Sequence, residues 1–231
     1  MKKYALRRII VGLFYFLKNL YNRIMIKNHH PGKLIVFEGI DGAGCETQVK
    51  LLFDYLKRQG KSVERLYYPD YEGPIGKLIH QYLHKQYEFS VDIQFLLYFT
   101  DFIKDREKIN QWIGEGKIVI CDRYFSSTLA YQGLRGFSIK KALELARRFK
   151  LPKPDLIIYL KVSPEVSMSR KYKEKKDLDR NEADKKFLKK IWDSYEKLIK
   201  GKIFSKWVVI DGEKSIEEVF SQIKKIVNEK L

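Results

Sequence analysis

The chain is poor in several things, and each shortage excludes something. Only two of its 231 residues are cysteine, Cys45 and Cys121. That count argues against a disulfide scaffold and fits a reducing compartment, so a cytoplasmic location is expected. Near the N-terminus the unbroken apolar run, residues 9–17, is too short to span a bilayer. No small-residue cleavage site follows it, which argues against a signal peptide. There is no internal repeat and no low-complexity tract. Helix-turn-helix, zinc-finger and RNA-binding signatures are also missing, so no specific nucleic-acid partner is expected. Acids are outnumbered, 29 against 46 basic residues, for a formal net charge of +17. Such an excess calls for an anionic partner: nucleotide phosphates, nucleic acid or a membrane surface.

Residues 1–24 contain no acid and carry six of the excess charges, so +11 remains for the rest. Here Leu6, Ile9, Ile10, Leu13, Phe14, Leu17, Leu20, Tyr21 and Ile24 recur at helical spacing, and Arg7, Arg8, Lys18 and Arg23 lie off that stripe. The pattern predicts a basic amphipathic helix. Three readings fit it: a weak membrane-surface contact, a helix packed on the domain or a partner subunit, or a true start at Met25. His29, His30, Pro31 and Gly32 punctuate a linker. The expected division is an extension over 1–30 and one domain over 31–231.

From Lys33 onward, strand and helix patterns alternate. Short apolar strands are expected at 34–38, 63–68, 117–121, 156–162 and 207–211. Helices are expected at 47–59, 76–85, 91–115, 138–149, 164–175 and 182–200. A last one begins at Ser215, where Glu218 completes the spacing of a capping box. Five such strands separated by helices predict an α/β fold, a five-stranded parallel sheet with helices on both faces.

The first strand runs into Gly39, Ile40, Asp41, Gly42, Ala43, Gly44, Cys45, Glu46 and Thr47, and a helix follows. This is the context of a phosphate-binding P-loop, in which glycines let the backbone N–H groups curl around phosphate oxygens. The motif G-x-x-x-x-G-K-[ST] is incomplete: Cys45 replaces the lysine and Glu46 the hydroxyl residue. The apolar strand at 117–121 leads into Asp122, the kind of acid that organises magnesium beside such a loop.

Asp122-Arg123-Tyr124-Phe125-Ser126-Ser127-Thr128-Leu129-Ala130-Tyr131-Gln132 resembles the D-R-Y-x-x-S-x-x-A-Y-Q segment of thymidylate kinases. Other pieces are similar in the same order. Phe37 to Asp41 fits F-E-G-x-D, and Tyr68-Pro69-Asp70-Tyr71 with Ile75-Gly76-Lys77-Leu78-Ile79 fits F-P-x-R and I-G-K-L-I. Asp179-Arg180-Asn181-Glu182 fits the D-R-x-E of the family's lid. The resemblance spans residues 33–231. It implies the nucleoside monophosphate kinase version of the P-loop fold, with a basic lid over about 168–182, and transfer of the ATP γ-phosphate to dTMP. It further implies magnesium and a homodimer.

Residue roles follow from that resemblance. Asp41 would accept a hydrogen bond from the deoxyribose 3′-OH, and Arg123 would clasp the acceptor phosphate as a fork. Tyr98 would stack on the base. Ser127, Thr128 and Gln132 would line the base, and Tyr131 would pack on the sugar. Arg170 and Arg180, with Lys171, Lys173, Lys175 and Lys176, would bring the lid's charge to the transferring phosphoryl group. Asp122, joined by Glu46, would hold the metal. Two further departures touch the acceptor side: Phe102 stands where the family has an arginine that helps hold the base, and Tyr71 replaces the arginine of F-P-x-R. Loss of one preorganised charge at a transition state costs ~10²–10³ in rate, or roughly 3–4 kcal/mol. Three functions therefore stay open: an active dTMP kinase, a nucleotide binder without turnover, and a kinase for another deoxynucleotide or nucleoside.

Overall fold

Every expected strand forms. In a computed structural model, which describes residues 31–174, 179–181 and 184–230, β1 (Lys33–Glu38), β2 (Val63–Tyr67), β3 (Ile118–Asp122), β4 (Leu156–Lys161) and β5 (Trp207–Asp211) build one sheet. All neighbouring pairs are parallel, in the order β2-β3-β1-β4-β5. The described fold belongs to the compact unit Gly32–Leu231. The amphipathic helix expected in residues 1–24 lies outside the described residues.

The apolar runs at the sheet centre are buried on both faces, which is why they read as continuous rather than alternating. In β1, Leu34 and Val36 join one core layer, and Ile35 and Phe37 join the other. The first layer packs α3 (Val91–Ile103), α4 (Arg106–Gly114), α5 (Phe125–Leu134), α6 (Ile139–Arg148) and α8 (Lys185–Lys200) against the sheet. The second packs α1 (Cys45–Arg58) and α9 (Ile216–Asn228). A smaller cluster, Ile79, Tyr82 and Leu83, seats α2 (Pro74–Leu83). The helix α7 (Pro164–Glu174) follows β4. At the start of α9 the capping box forms as expected, with Ser215 and Glu218 exchanging hydrogen bonds.

Two expectations are corrected. The single helix expected over 91–115 is two, α3 and α4. At the break the Asp105 N–H bonds to the Phe102 carbonyl (3.2 Å) as a tightened turn. The Asp105 carboxylate is drawn off by Lys104 and Tyr68. The segment 125–134, read only as a motif, is a helix. Nearly every side chain of α5 is buried, so it shows no polar face for periodicity to detect.

The sheet order places β1 between β3, on one side, and β4, on the other. The crevice at the carboxyl ends of β1 and β3 is where ligands bind in open parallel sheets.

Candidate active site

At that crevice β1 ends in Glu38, and the loop after it turns into α1. Gly42 (φ 79°) and Gly44 (φ 89°) have left-handed backbones. At Gly42 a Cβ would also stand 2.8 Å from the Ser167 carbonyl oxygen, so the position admits only glycine. Gly44 is the N-cap of α1 and supplies no side-chain cap. The first-turn N–H groups, which have no intrahelical acceptors, open onto a cleft lined by residues 40–47. These are the elements of an anion site.

Cys45 is buried. Burial, and next the Asp122 charge, push its thiol well above the usual range. It is a neutral filler rather than a thiolate. Glu46 is exposed and lines the cleft. Asp122 ends β3 opposite Phe37 and lines the same cleft. Burial pushes its carboxyl up to about 6. Arg123 opposes that rise, Glu46 and Glu38 add to it, and Arg65 opposes it too. Two carboxyl groups beside one cleft, the charge of Glu46 adding to the rise of Asp122, are a donor set suited to a divalent cation.

Arg123 is the pivot. Its backbone is left-handed (φ 63°), a strained conformation for a residue with a side chain. Its N–H bonds to the Phe37 carbonyl (2.9 Å). Its Nη1 donates to the Gly39 carbonyl (2.9 Å) and its Nη2 to Asp41 Oδ1 (2.6 Å). The other Asp41 oxygen accepts from the Tyr131 hydroxyl (3.0 Å).

Beneath this lies Glu38, fully buried, which sequence reading passed over as part of a strand. Its Oε1 accepts from the Ser126 hydroxyl (2.6 Å) and from the Tyr124 and Ser127 N–H groups (3.1 Å each). Its Oε2 accepts from the Ser127 hydroxyl (2.6 Å) and the Tyr195 hydroxyl (2.8 Å). Burial raises its carboxyl above the usual range, while Arg123 and these donors hold the rise back. The carboxylate thus caps the start of α5 from another element and fixes the turn that carries Arg123. Tyr195 is the second missed residue. The signal was available: an acid closing an apolar strand beside a hydroxyl-rich helix start.

A narrow slot of about 70 Å3 opens beside Arg123, against about 510 Å3 for the cleft over the glycine loop. One half of the crevice is thus narrow and the other roomy. Tyr98, Thr128, Tyr131 and Gln132 line the slot, and Ser127 does so with its hydroxyl turned to Glu38. Thr128 is 2% exposed, and its hydroxyl has no hydrogen-bond partner among the described residues. Asp41, Tyr71 and Arg123 border both cavities, as does Asp179, which sequence reading gave no role.

The structure corrects three expected roles. Phe102 lines neither cavity. It is 2% exposed and packs edge-on against Tyr68 and Phe125, because a phenyl ring has nothing to offer a polar slot and gains from the core. Arg180 lies outside the lining of both cavities. It forms a bidentate pair with Glu88 (2.9 Å twice) and covers the Tyr82 ring at 4.0 Å. Arg170 holds the loop instead of facing the cleft, donating to the Gly42 (3.4 Å) and Gly212 (2.9 Å) carbonyls. Ser167 donates to the Asp41 carbonyl beside it, so α7 is fastened to the glycine loop. From α7, Lys171 does line the cleft. Lys175, Lys176 and Glu182 lie outside the described residues.

Comparisons with known proteins agree with the fold. The family model for thymidylate kinase matches residues 37–223. The thymidylate kinase of Thermoanaerobacter sp. is 37% identical over 87% of this chain and 99% of its own length. That of Plasmodium falciparum is 32% identical over 88% and 93%. The thymidylate kinase of Desulfotalea psychrophila is 40% identical over 60% of this chain and 67% of its own.

Proposed function

The chain belongs to the thymidylate kinase family, and we propose how its crevice carries out ATP-dependent phosphorylation of dTMP to dTDP. The open cleft takes the triphosphate, with the uncapped start of α1 at its oxygens. The slot takes the nucleoside, with Tyr98 against the base and Tyr131 against the sugar. Arg123, bordering both, receives the acceptor phosphate. One oxygen of that phosphate attacks the γ-phosphorus, the bond to the β,γ-bridging oxygen breaks, and ADP leaves with that electron pair. The observation that carries the reading is Arg123 itself, a strained residue locked by Gly39 and Asp41 at the junction of the two cavities.

Asp122 and Glu46 would hold a magnesium ion, which when bound neutralises the β,γ oxygens. The chain's own groups do the rest: they align the two phosphates and exclude water, which is most of what this chemistry asks of a protein. Lys171 on α7 supplies part of the charge missing from the loop. A coupled ADP-release assay with dTMP, dUMP, dGMP and thymidine tests the assignment. Turnover with dTMP well above the others is the expected result. Measurable dTMP binding with no turnover on any acceptor would instead establish a nucleotide binder, the reading that Cys45 and Glu46 favour.

Homodimer formation is proposed through α3. Ile93 and Leu96 are 43% and 49% exposed and, with exposed Thr100, line one side of the helix at i, i+3 and i+7. A second copy of the chain is the occupant that fits, since the stripe is self-complementary across a two-fold axis. Light scattering on Leu96→Glu should give a monomer.

The cytoplasmic location rests on two unpaired, buried cysteines. Among the described residues no helix is long and apolar enough to cross a membrane. Surface contact through residues 1–24 is tested by liposome co-sedimentation of the chain with and without them.

A further inference from the structure

The donor cleft needs a cation where the loop has Cys45, and the expected arginines are engaged elsewhere. Arg123 is held by Gly39 and Asp41, Arg170 by two carbonyls, and Arg180 by Glu88. Arg65 is different. It is the third residue of β2, in register with Ile120 of β3, two positions before the Tyr67–Asp122 pair. Val63, Arg65 and Tyr67 share one face of the strand. Val63 packs with Val49, Leu52 and Leu56 of α1 in the second core layer, so Arg65 stands over α1. Its guanidinium carbon lies 5.6 Å from the Phe53 ring centroid. The side chain is exposed and lines the donor cleft together with Glu46 and Asp122. Among the described residues its guanidinium makes no hydrogen bond and no ion pair.

We infer that Arg65 supplies to the donor triphosphate the positive charge that a loop lysine would supply, leaving its seat on Phe53 to grip phosphate oxygens. The inference rests on the reading of the cleft as an ATP site. Reach is adequate. Two residues of strand rise about 7 Å, which an extended arginine side chain covers to arrive level with Asp122. Exchange is favourable, because an exposed cation–π contact is weaker than a forked, charge-assisted bond to phosphate. Cys45 and Glu46 together leave the loop two charges more negative than the full motif, and Arg65 restores one positive charge across the same cleft, which Lys171 also lines. Neither residue is in the glycine loop's motif at its usual type, so a search for the motif alone finds a defect where the fold offers a substitute.

The test is titration calorimetry of Mg–ATP, AMP and dTMP on the full chain, its R65A and R65K variants, and C45K with and without R65A, alongside initial rates. Thermal melting checks folding. R65A should weaken Mg–ATP binding by about 10-fold, with a matching loss in kcat/KM for ATP, and with AMP and dTMP affinities and the melting temperature unchanged. R65K should fall between wild type and R65A, since it keeps the charge but loses the fork. In the C45K background the cost of R65A should shrink, because a loop lysine makes Arg65 redundant. Mg–ATP affinity and rate equal to wild type in R65A would overturn the inference. So would equal losses for AMP and dTMP, or an R65A cost of the same size with Lys at position 45. If the wild type binds Mg–ATP but phosphorylates no acceptor, the kinase reading fails and the binding arms still decide the role of Arg65. If it binds no Mg–ATP, both fail.

Discussion

The two halves of the crevice are built on different principles. On the acceptor side the charged groups have fixed partners: Asp41 with Arg123 and Tyr131, and behind them Glu38 with five donors. On the donor side the frame is rigid but the charges are not in it. The glycine loop is locked by α7, yet Cys45 is a neutral thiol, Glu46 is exposed, and the cations stand on β2 and α7, outside the loop. A preorganised group acts at the transition state without reorganising, whereas a long exposed side chain must be ordered each time. The comparison therefore expects substitutions on the acceptor side to be costly and indivisible. Those on the donor side should be milder, shared among several residues and dependent on salt.

The hardest break is Arg123→Ala. The acceptor phosphate loses its fork, and kcat/KM for dTMP should fall by about 10²–10³. Mg–ATP affinity should hold, because that contact belongs to the other half. Steady-state kinetics in both substrates reads the split. A comparable loss in ATP affinity would mean that the two halves are not separable.

Glu38→Ala comes next and reads out as stability. Five buried donors lose their acceptor, and the unfolding free energy should drop by roughly 3 kcal/mol in a denaturant titration. Activity should fall with it, since the Arg123 turn is then held only from one side. Glu38→Gln keeps one oxygen and should recover part of both. An unchanged midpoint in Glu38→Ala would show that the network does not organise the acceptor half.

Much of this contrast was legible in the chain, and what was not has identifiable causes. The strands showed because central parallel strands are apolar on both faces. The loop showed through its glycines between a strand and a helix, Asp122 as an acid closing an apolar strand, and Arg123 through the resemblance of residues 122–132 to a thymidylate kinase segment. α5 did not, since a wholly buried helix carries no periodic polar face. The break between α3 and α4 did not, because it depends on Lys104 gathering Asp70, Asp101 and Asp105 from different segments. Arg170 and Arg180 read as lid charge by position. Only three-dimensional placement reveals that carbonyls and Glu88 already engage them. Arg65 was hidden for the converse reason: an arginine in an edge strand is ordinary until the cleft it borders is known, whereas Lys171, named with the lid charge, does line that cleft.

Lys171→Ala sharpens the donor side. Its loss should raise KM for ATP by roughly 10-fold or less, as for one charge-assisted contact, while KM for dTMP stays put. The loss should also shrink as ionic strength rises, since a half-buried charge at the edge of a cleft is still partly screened. A salt-independent loss of 10²-fold would place Lys171 among the preorganised groups and erase the contrast on this side.

The finest probe is Thr128→Val, since it carries two effects of opposite sign. The threonine hydroxyl is buried beside the slot with no partner among the described residues. An unsatisfied buried hydroxyl costs about 1–3 kcal/mol, and a methyl of the same shape removes that cost. The ligand-free variant should therefore be as stable as the parent or more so in thermal melts. If the hydroxyl instead waits for the base, the complex loses one neutral hydrogen bond, about 1 kcal/mol or roughly 5-fold in dTMP affinity. Stability and affinity then move apart, which packing alone does not do: a residue that merely fills the core lowers both or neither. If affinity is unchanged while stability rises, Thr128 has no part in reading the base. Discrimination among pyrimidines would then fall to Gln132 and the rings of Tyr98 and Tyr131.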